Sequence, residues 1–194
     1  MADAWKDAAS AAMDRYACGD DAAFACLYDL LAPRLSSFLL RRTGDPARTE
    51  DLVQQTFLQM HCARRHFAPG AGVTPWAFAI ARRLLIDGLR RGGRDPVSPR
   101  LHGDDVESAS SALGPDAIAA RNRIVHRMND ALATVSEADR AAFELVKCDG
   151  LSMAEAGEVL GISANAVKLR AFRAYRALRA TLGDEVREEL EGAW

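Results

Sequence analysis

Between Gly150 and Arg179 the chain reads GLSMAEAGEVLGISANAVKLRAFRAYRALR, where two helix starts, a tight corner and a set of cations follow one another. Ser152 is placed to cap a first helix, and Glu155 three residues later completes a capping box. Gly161 supplies the left-handed residue that ends this helix near Leu160. Ser163 offers the next N-cap, so Gly161-Ile162-Ser163 is the whole connection. Gly157 is a poor helix former, but it lets the second helix come close to the first. Val159, Leu160, Ile162 and Val167 are expected to fill the corner. The second helix carries Lys168, Arg170, Arg173, Arg176 and Arg179, with no acid between Ala164 and Ala180. The chemistry on offer is hydrogen bonding to base edges and phosphates. In a major-groove docking the first turns of the second helix face the bases. Asn165, Lys168, Leu169, Phe172 and Arg173 are therefore the reading candidates. Asn and Arg suit adenine and guanine, while Leu and Phe suit a thymine methyl. Arg170, Arg176 and Arg179 are assigned to phosphates or a protein partner. A merely solvated basic face would not require caps, turn and charge to agree.

The elements that must position this corner are helical throughout. Strand signals are nearly absent and apolar residues recur with the helical period. Asp14 to Arg42 reads as two helices around Pro33, with Phe24, Leu27, Tyr28, Leu31, Leu35, Phe38 and Leu39 facing a core. Gly44-Asp45-Pro46 forms a turn. A helix follows from about Ala47 to His66, with Leu52, Val53, Phe57, Leu58 and Met60 on its apolar side. Phe67 to Thr74 is a loop rich in Gly and Pro. Thr74 is expected to cap a helix with Pro75 at its first position, running through Trp76, Phe78, Ile80, Leu84, Leu85 and Ile86 to Arg91. The breakers from Gly92 to Pro115, among Ser and Asp, read as a flexible linker. Helix resumes near Asp116 and runs past Leu132. Another starts at Ser136 with Asp139 and passes through Phe143, Leu145 and Val146 to Cys148. The division expected is residues 14–92, a linker 93–115, residues 116–183 and an acidic tail 184–194. The fold class is all-α, as two small helical domains.

Composition narrows the functions. The 194 residues carry a net charge of -2, so the chain is not a general DNA-coating protein. Its charge is uneven, since Arg64 to Arg94 holds seven arginines against the single acid Asp87. Most of the basic residues are arginine, which favours bidentate contacts. Cys18, Cys26, Cys62 and Cys148 form no CxxC pair, and Met1 to Arg15 has no uninterrupted apolar core for a signal peptide. His61, Cys62 and His66 lack a second ligand pair, so no metal and no other cofactor is expected. No apolar run approaches a membrane span, and the cytoplasm is the expected location. No nucleophile constellation or phosphate-binding loop suggests an enzyme or a small-molecule substrate.

Three segments in order resemble the extracytoplasmic-function (ECF) sigma factors of bacterial RNA polymerase. Gly19-Asp20, Ala23-Phe24 and Leu27-Tyr28 look like that family's opening helix. Glu50-Asp51-Leu52-Val53-Gln54-Gln55-Thr56-Phe57 is similar to its AEDLVQ-x-x-F segment, with Thr49 where Ala is usual. Trp76, Ile80-Ala81-Arg82, Ile86-Asp87 and Arg90-Arg91 resemble its W-x-x-x-I-A-x-N-x-x-x-D-x-x-R-R helix, with Arg83 where Asn is typical. Gly150 to Arg179 is similar to its G-L-S-x-x-E-x-A-x-x-L-G-x-S-x-x-x-V-K-x-R pattern, though Ala156 and Gly157 are smaller than the usual Ile-Ala.

The resemblance implies a first half, sigma region 2, that binds core RNA polymerase and melts the promoter -10 element. It implies a second half, region 4, that reads the -35 element, and control by an anti-sigma factor. Asp51, Gln54, Gln55 and Leu58 lie at helical spacing and form the candidate polymerase face. Melting costs a few kcal/mol per unstacked base, recovered by capturing a flipped base and gripping the strand. The loop Phe67 to Thr74, with Arg64, Arg65 and His66, is the capturing candidate, and Arg82, Arg83, Arg90 and Arg91 are the strand-gripping ones. Trp76 and Phe78 are assigned to core packing and Asp87 to an intrahelical ion pair. Leu169 stands where the family often has a small polar residue, which leaves the -35 preference open. The alternative is an autonomous regulator binding an operator without polymerase, a protein with no use for the DLVQQTF segment or the basic helix.

Overall fold

In a computed structural model, residues 4–91, 132 and 134–182 are described. The expected linker, the helix near Asp116 and the acidic tail lie outside the described residues, apart from Leu132. Every regular element among the described residues is a helix. The first half comprises α1 (Ala4–Ala17), α2 (Ala23–Thr43), α3 (Pro46–Ala63), a 3-10 turn (Arg64–His66) and α4 (Val73–Arg91). The second half comprises α5 (Glu137–Lys147), α6 (Met153–Leu160) and α7 (Ala164–Leu182).

Two helices replace the expected pair around Pro33, but the break falls earlier. Gly19, at φ 101°, turns the chain between α1 and α2. Pro33 sits inside α2 on its exposed side. An interior proline costs about 3 kcal/mol. Leu27, Leu31, Leu35, Phe38 and Leu39 are buried on both sides of it, so packing holds the helix continuous. This corrects the membrane reading too. α2 is 21 residues with a hydropathy of 1.3, long and apolar enough to span. Leu27, Leu31, Leu35 and Leu39 have no exposed surface, because they form the core of the bundle.

Tyr28 and Leu58, expected in the core, are 41% and 62% exposed. Each lies one position off its helix's buried stripe, beside Leu27 and Phe57 respectively. Gly44 (φ 60°) closes α2, Asp45 caps α3 through the Arg48 N–H, and Pro46 opens α3. Thr74 does not cap α4, which starts a residue earlier, and its hydroxyl is buried without a partner. The Val73 N–H instead donates to Ser10 Oγ of α1 at 3.4 Å.

Candidate nucleic-acid interface

The second half builds its corner as its local residues dictate. The Ser152 hydroxyl accepts the Glu155 N–H at 3.2 Å, and the Glu155 carboxylate accepts the Ser152 N–H at 2.6 Å. Gly161 is left-handed at φ 69°, and Ser163 Oγ accepts the Ala166 N–H. Val159 and Val167 are buried, while Leu160 and Ile162 are partly so. The buried stripe Val167, Ala171, Ala174, Tyr175 and Leu178 fixes which side of α7 turns outward. On that outer side Asn165, Lys168, Arg173 and Arg176 are exposed, with Leu169 at 60% and Phe172 at 47%. Arg170 is half-buried. Arg173 keeps a loose contact with Asp139 at 3.9 Å. Leu169 and Phe172 are thus the large apolar side chains that α7 leaves exposed among its cations.

In the first half, His66, Phe67, Ala68, Ala71, Pro75 and Trp76 line a cleft of about 500 Å³. Phe67 is buried and its ring meets Trp76 at 5.1 Å, so Trp76 is a half-buried wall of the cleft while Phe78 is fully buried. The loop is fixed from α1, where Asp14 Oδ1 accepts the Gly70 N–H at 3.2 Å. Arg65 and His66 are exposed beside it, and Arg64 packs over the Tyr16 ring. Arg83 is exposed and donates to Gln59 at 2.6 Å, tying α4 to α3. Arg82 is half-buried, and desolvation first, then the Arg42 charge, holds its guanidinium below the usual range. Arg90 is exposed and Arg91 ends α4. The structure therefore splits this basic set: His66 lines the cleft, Arg64 turns to the aromatic groove with Tyr16 and His61, and Arg82 and Arg90 line a separate hollow facing the second half.

On α3, Asp51, Gln54, Gln55 and Leu58 are all exposed on one face. Beside them Phe24, Tyr28 and Phe57 stack, with Tyr28 and Phe57 at 4.7 Å, along a shallow groove of about 540 Å³. Tyr16 and His61 close its end with a 2.5 Å hydrogen bond, and burial pushes the Tyr16 phenol up. Sequence reasoning placed Tyr28 in a core and overlooked α1. Ala9, Ala12, Met13 and Tyr16 fall at the i, i+3, i+4, i+7 spacing that would have found that helix.

The Sigma-70 region 2 family description matches residues 27–95, and Sigma-70, region 4 matches residues 126–178. RNA polymerase sigma factor CarQ of Myxococcus xanthus is 35% identical over 172 residues, 89% of this chain and 96% of that protein. ECF RNA polymerase sigma factor SigF of Caulobacter vibrioides is 37% identical over 161 residues, 82% of this chain and 86% of that protein. Among solved structures, CnrH in complex with the cytosolic domain of CnrY superposes with a TM-score of 0.67 at 26% identity, covering 92% of this chain and 99% of that one. The sigma factor RpoE of Bartonella quintana, in complex with the anti-sigma factor NepR, shares the fold with a TM-score of 0.64 at 22% identity, covering 84% of this chain and 98% of that one. A two-part helical protein carrying a basic helix-turn-helix is thereby defined as a promoter-recognition factor. The chain belongs to the sigma-70 family of RNA polymerase sigma factors, in its ECF branch.

Proposed function

We propose that this chain directs promoter-specific transcription initiation through three faces. The α3 face of Asp51, Gln54, Gln55 and Leu58, with the aromatic groove beside it, binds core RNA polymerase. The cleft at Phe67 and Trp76, with Arg64, Arg65 and His66, takes a flipped base of the -10 element, and Arg82, Arg83, Arg90 and Arg91 grip the displaced strand. Helix α7 reads the -35 element with Asn165, Lys168, Leu169, Phe172 and Arg173, and Arg170 and Arg176 hold phosphates. The observation that carries this reading is the pairing, in one chain, of a basic helix whose Leu169 and Phe172 are exposed with an aromatic-walled cleft that has His66 on its lining. A repressor would need only the first. The domain division is region 2 over residues 14–92, region 4 over 116–183, a linker between them and a tail at 184–194. The chain supplies no catalytic step of its own and acts in the cytoplasm, where polymerase and DNA are. An anti-sigma partner controls it, as the resemblance to ECF sigma factors implies.

Purified chain mixed with core polymerase should bind saturably and confer selective run-off transcription on a pool of promoter fragments. Tight duplex binding with no polymerase binding would favour the autonomous regulator.

Two substitutions resolve the faces. Asp51→Ala with Gln54→Ala is expected to weaken polymerase binding about thirtyfold, since each removes an interface hydrogen-bonding group worth about 1 kcal/mol. Unchanged affinity in a titration with core polymerase removes α3 from the interface. Arg173→Ala is expected to weaken -35 binding about tenfold and relax base preference at its position, leaving polymerase affinity intact. An equal loss on unrelated duplex would assign Arg173 to a phosphate.

A further inference from the structure

Two helices of the second half start alike, with a serine cap and an acid three residues on, yet use those acids differently. In α6 the Glu155 carboxylate is taken up by its own cap, where it accepts the Ser152 N–H. In α5 Ser136 Oγ accepts the Asp139 N–H at 3.2 Å, but among the described residues the reciprocal bond to the Asp139 carboxylate is not made. That carboxylate turns instead to α7, which packs along α5. Its Oδ1 stands 3.9 Å from Arg173 Nη1. The Asp139 side chain is sheltered, at 15% exposure, while that of Arg173 is 67% exposed. Among the described residues no other cation of α7 has a carboxylate within ion-pair distance. The helix itself carries no acid between Ala164 and Ala180.

We infer that Asp139 is a positioning residue that aims Arg173 at a guanine of the -35 element. This deepens the reading face assigned above and rests on it. An exposed arginine samples many rotamers, and binding DNA requires giving most of them up. A sheltered carboxylate at one end of the guanidinium thins that set before DNA arrives, so less freedom is lost on binding. The 3.9 Å separation is an attraction without a hydrogen bond, and it consumes no donor. A guanidinium has five donors, so two can span guanine O6 and N7 while Nη1 keeps one toward Asp139. Charge then decides between base and backbone. A phosphate is anionic and is repelled by Asp139, whereas the guanine edge is a neutral pair of acceptors. Arg170 and Arg176 have no such neighbour and remain suited to phosphates. The device spans two helices, so the charge pattern of α7 alone does not disclose it.

A duplex pool selected on the full chain bound to core polymerase supplies the -35 sequence, and replacing its base pairs one at a time locates the pair that Arg173 reads. Wild type should prefer G·C there by about thirtyfold, and Arg173→Ala should erase the preference. Asp139→Asn keeps the side-chain size and the Ser136 cap, which engages only the backbone N–H. It should cut the preference about fivefold at that pair alone, with binding to unrelated duplex unchanged or up to about twofold tighter. In the Arg173→Ala background Asp139→Asn should change nothing further, because it acts through Arg173. A purely structural role would instead lower binding to every duplex together, since unfolded chain binds none of them. An undiminished preference in Asp139→Asn, an equal loss at every position, or a loss that persists without Arg173 would each overturn the inference. So would a base other than guanine at the pair that Arg173 reads. If Arg173→Ala leaves every preference intact, the reading face is misassigned and the inference goes with it. A preference that needs Arg173 but ignores Asp139 removes the positioning role alone.

Discussion

Replacing Glu144 by alanine is expected to destabilise the chain by about 3–5 kcal/mol, the range for removing one partner of a buried charge cluster. Glu144 is 1% exposed at its side chain, and both its oxygens are occupied. Oε1 accepts from Arg140 Nε at 2.6 Å and Oε2 from Arg42 Nε at 2.8 Å. Arg140 is itself buried, and its Nη2 already lacks a partner. With Glu144 gone, Arg140 would be a desolvated cation with no counter-charge among the described residues, and Arg42 would keep Glu137. Burying an unpaired charge is among the few mechanisms that produce losses of this size. Urea denaturation followed by circular dichroism should show a lower midpoint with the slope unchanged. Glu144→Gln retains one acceptor and should fall between the two. A midpoint for Glu144→Ala close to wild type would mean that the arginines relax into water at little cost.

What the sequence disclosed and what it hid divide by distance along the chain. The capping box at Ser152 and Glu155 and the left-handed Gly161 are each decided within four residues, and each forms as expected, while Asp45 and Pro46, read as part of a turn, prove to be the N-cap and first residue of α3. The exposed face of α7 was equally legible, because helical period alone sets Asn165, Lys168, Leu169, Phe172 and Arg173 apart from the buried stripe. Pro33 misled, because a local rule was applied where contacts from the rest of the bundle outweigh it. Glu144 gave no local signal, since an acid four residues after an arginine reads as an ordinary surface pair. Only the fold brings Arg42, 102 positions away, against it. Departures from the family pattern make sense at the same level. Thr49, where Ala is usual, is buried and shares a 2.7 Å hydrogen bond with Thr43. Arg83, where Asn is typical, reaches Gln59 on the neighbouring helix, which a shorter side chain would not.

Gly157→Ala is the second large expected effect, and two opposed terms decide its sign. Alanine is favoured over glycine inside a helix by about 1 kcal/mol. Against that, a Cβ on Gly157 would lie 2.7 Å from the Ile162 carbonyl oxygen, with Ala164 N at 3.5 Å and Ser163 C at 3.6 Å. All three are backbone atoms of the corner itself, so no side chain can rotate out of the way. Relief requires moving the corner, and overpacking of this kind costs about 1–3 kcal/mol or more. The immobile neighbour puts the cost at the upper end, for a net loss of about 2 kcal/mol after the propensity gain. The functional consequence exceeds the stability loss. Ile162 joins α6 to α7, so any shift there tilts the reading helix against the helix that seats it. The contacts proposed for Asn165 and Arg173 with base edges depend on that tilt, because hydrogen bonds weaken steeply once misaligned. The -35 affinity should therefore fall by more than about thirtyfold, roughly 2 kcal/mol, while polymerase affinity through α3 stays unchanged. Thermal melting and duplex titration on the same preparation test both halves of the claim. A higher melting temperature with -35 binding intact would mean that the corner has room the structure denies it, and that the small residue at 157 is not what sets the approach of the two helices.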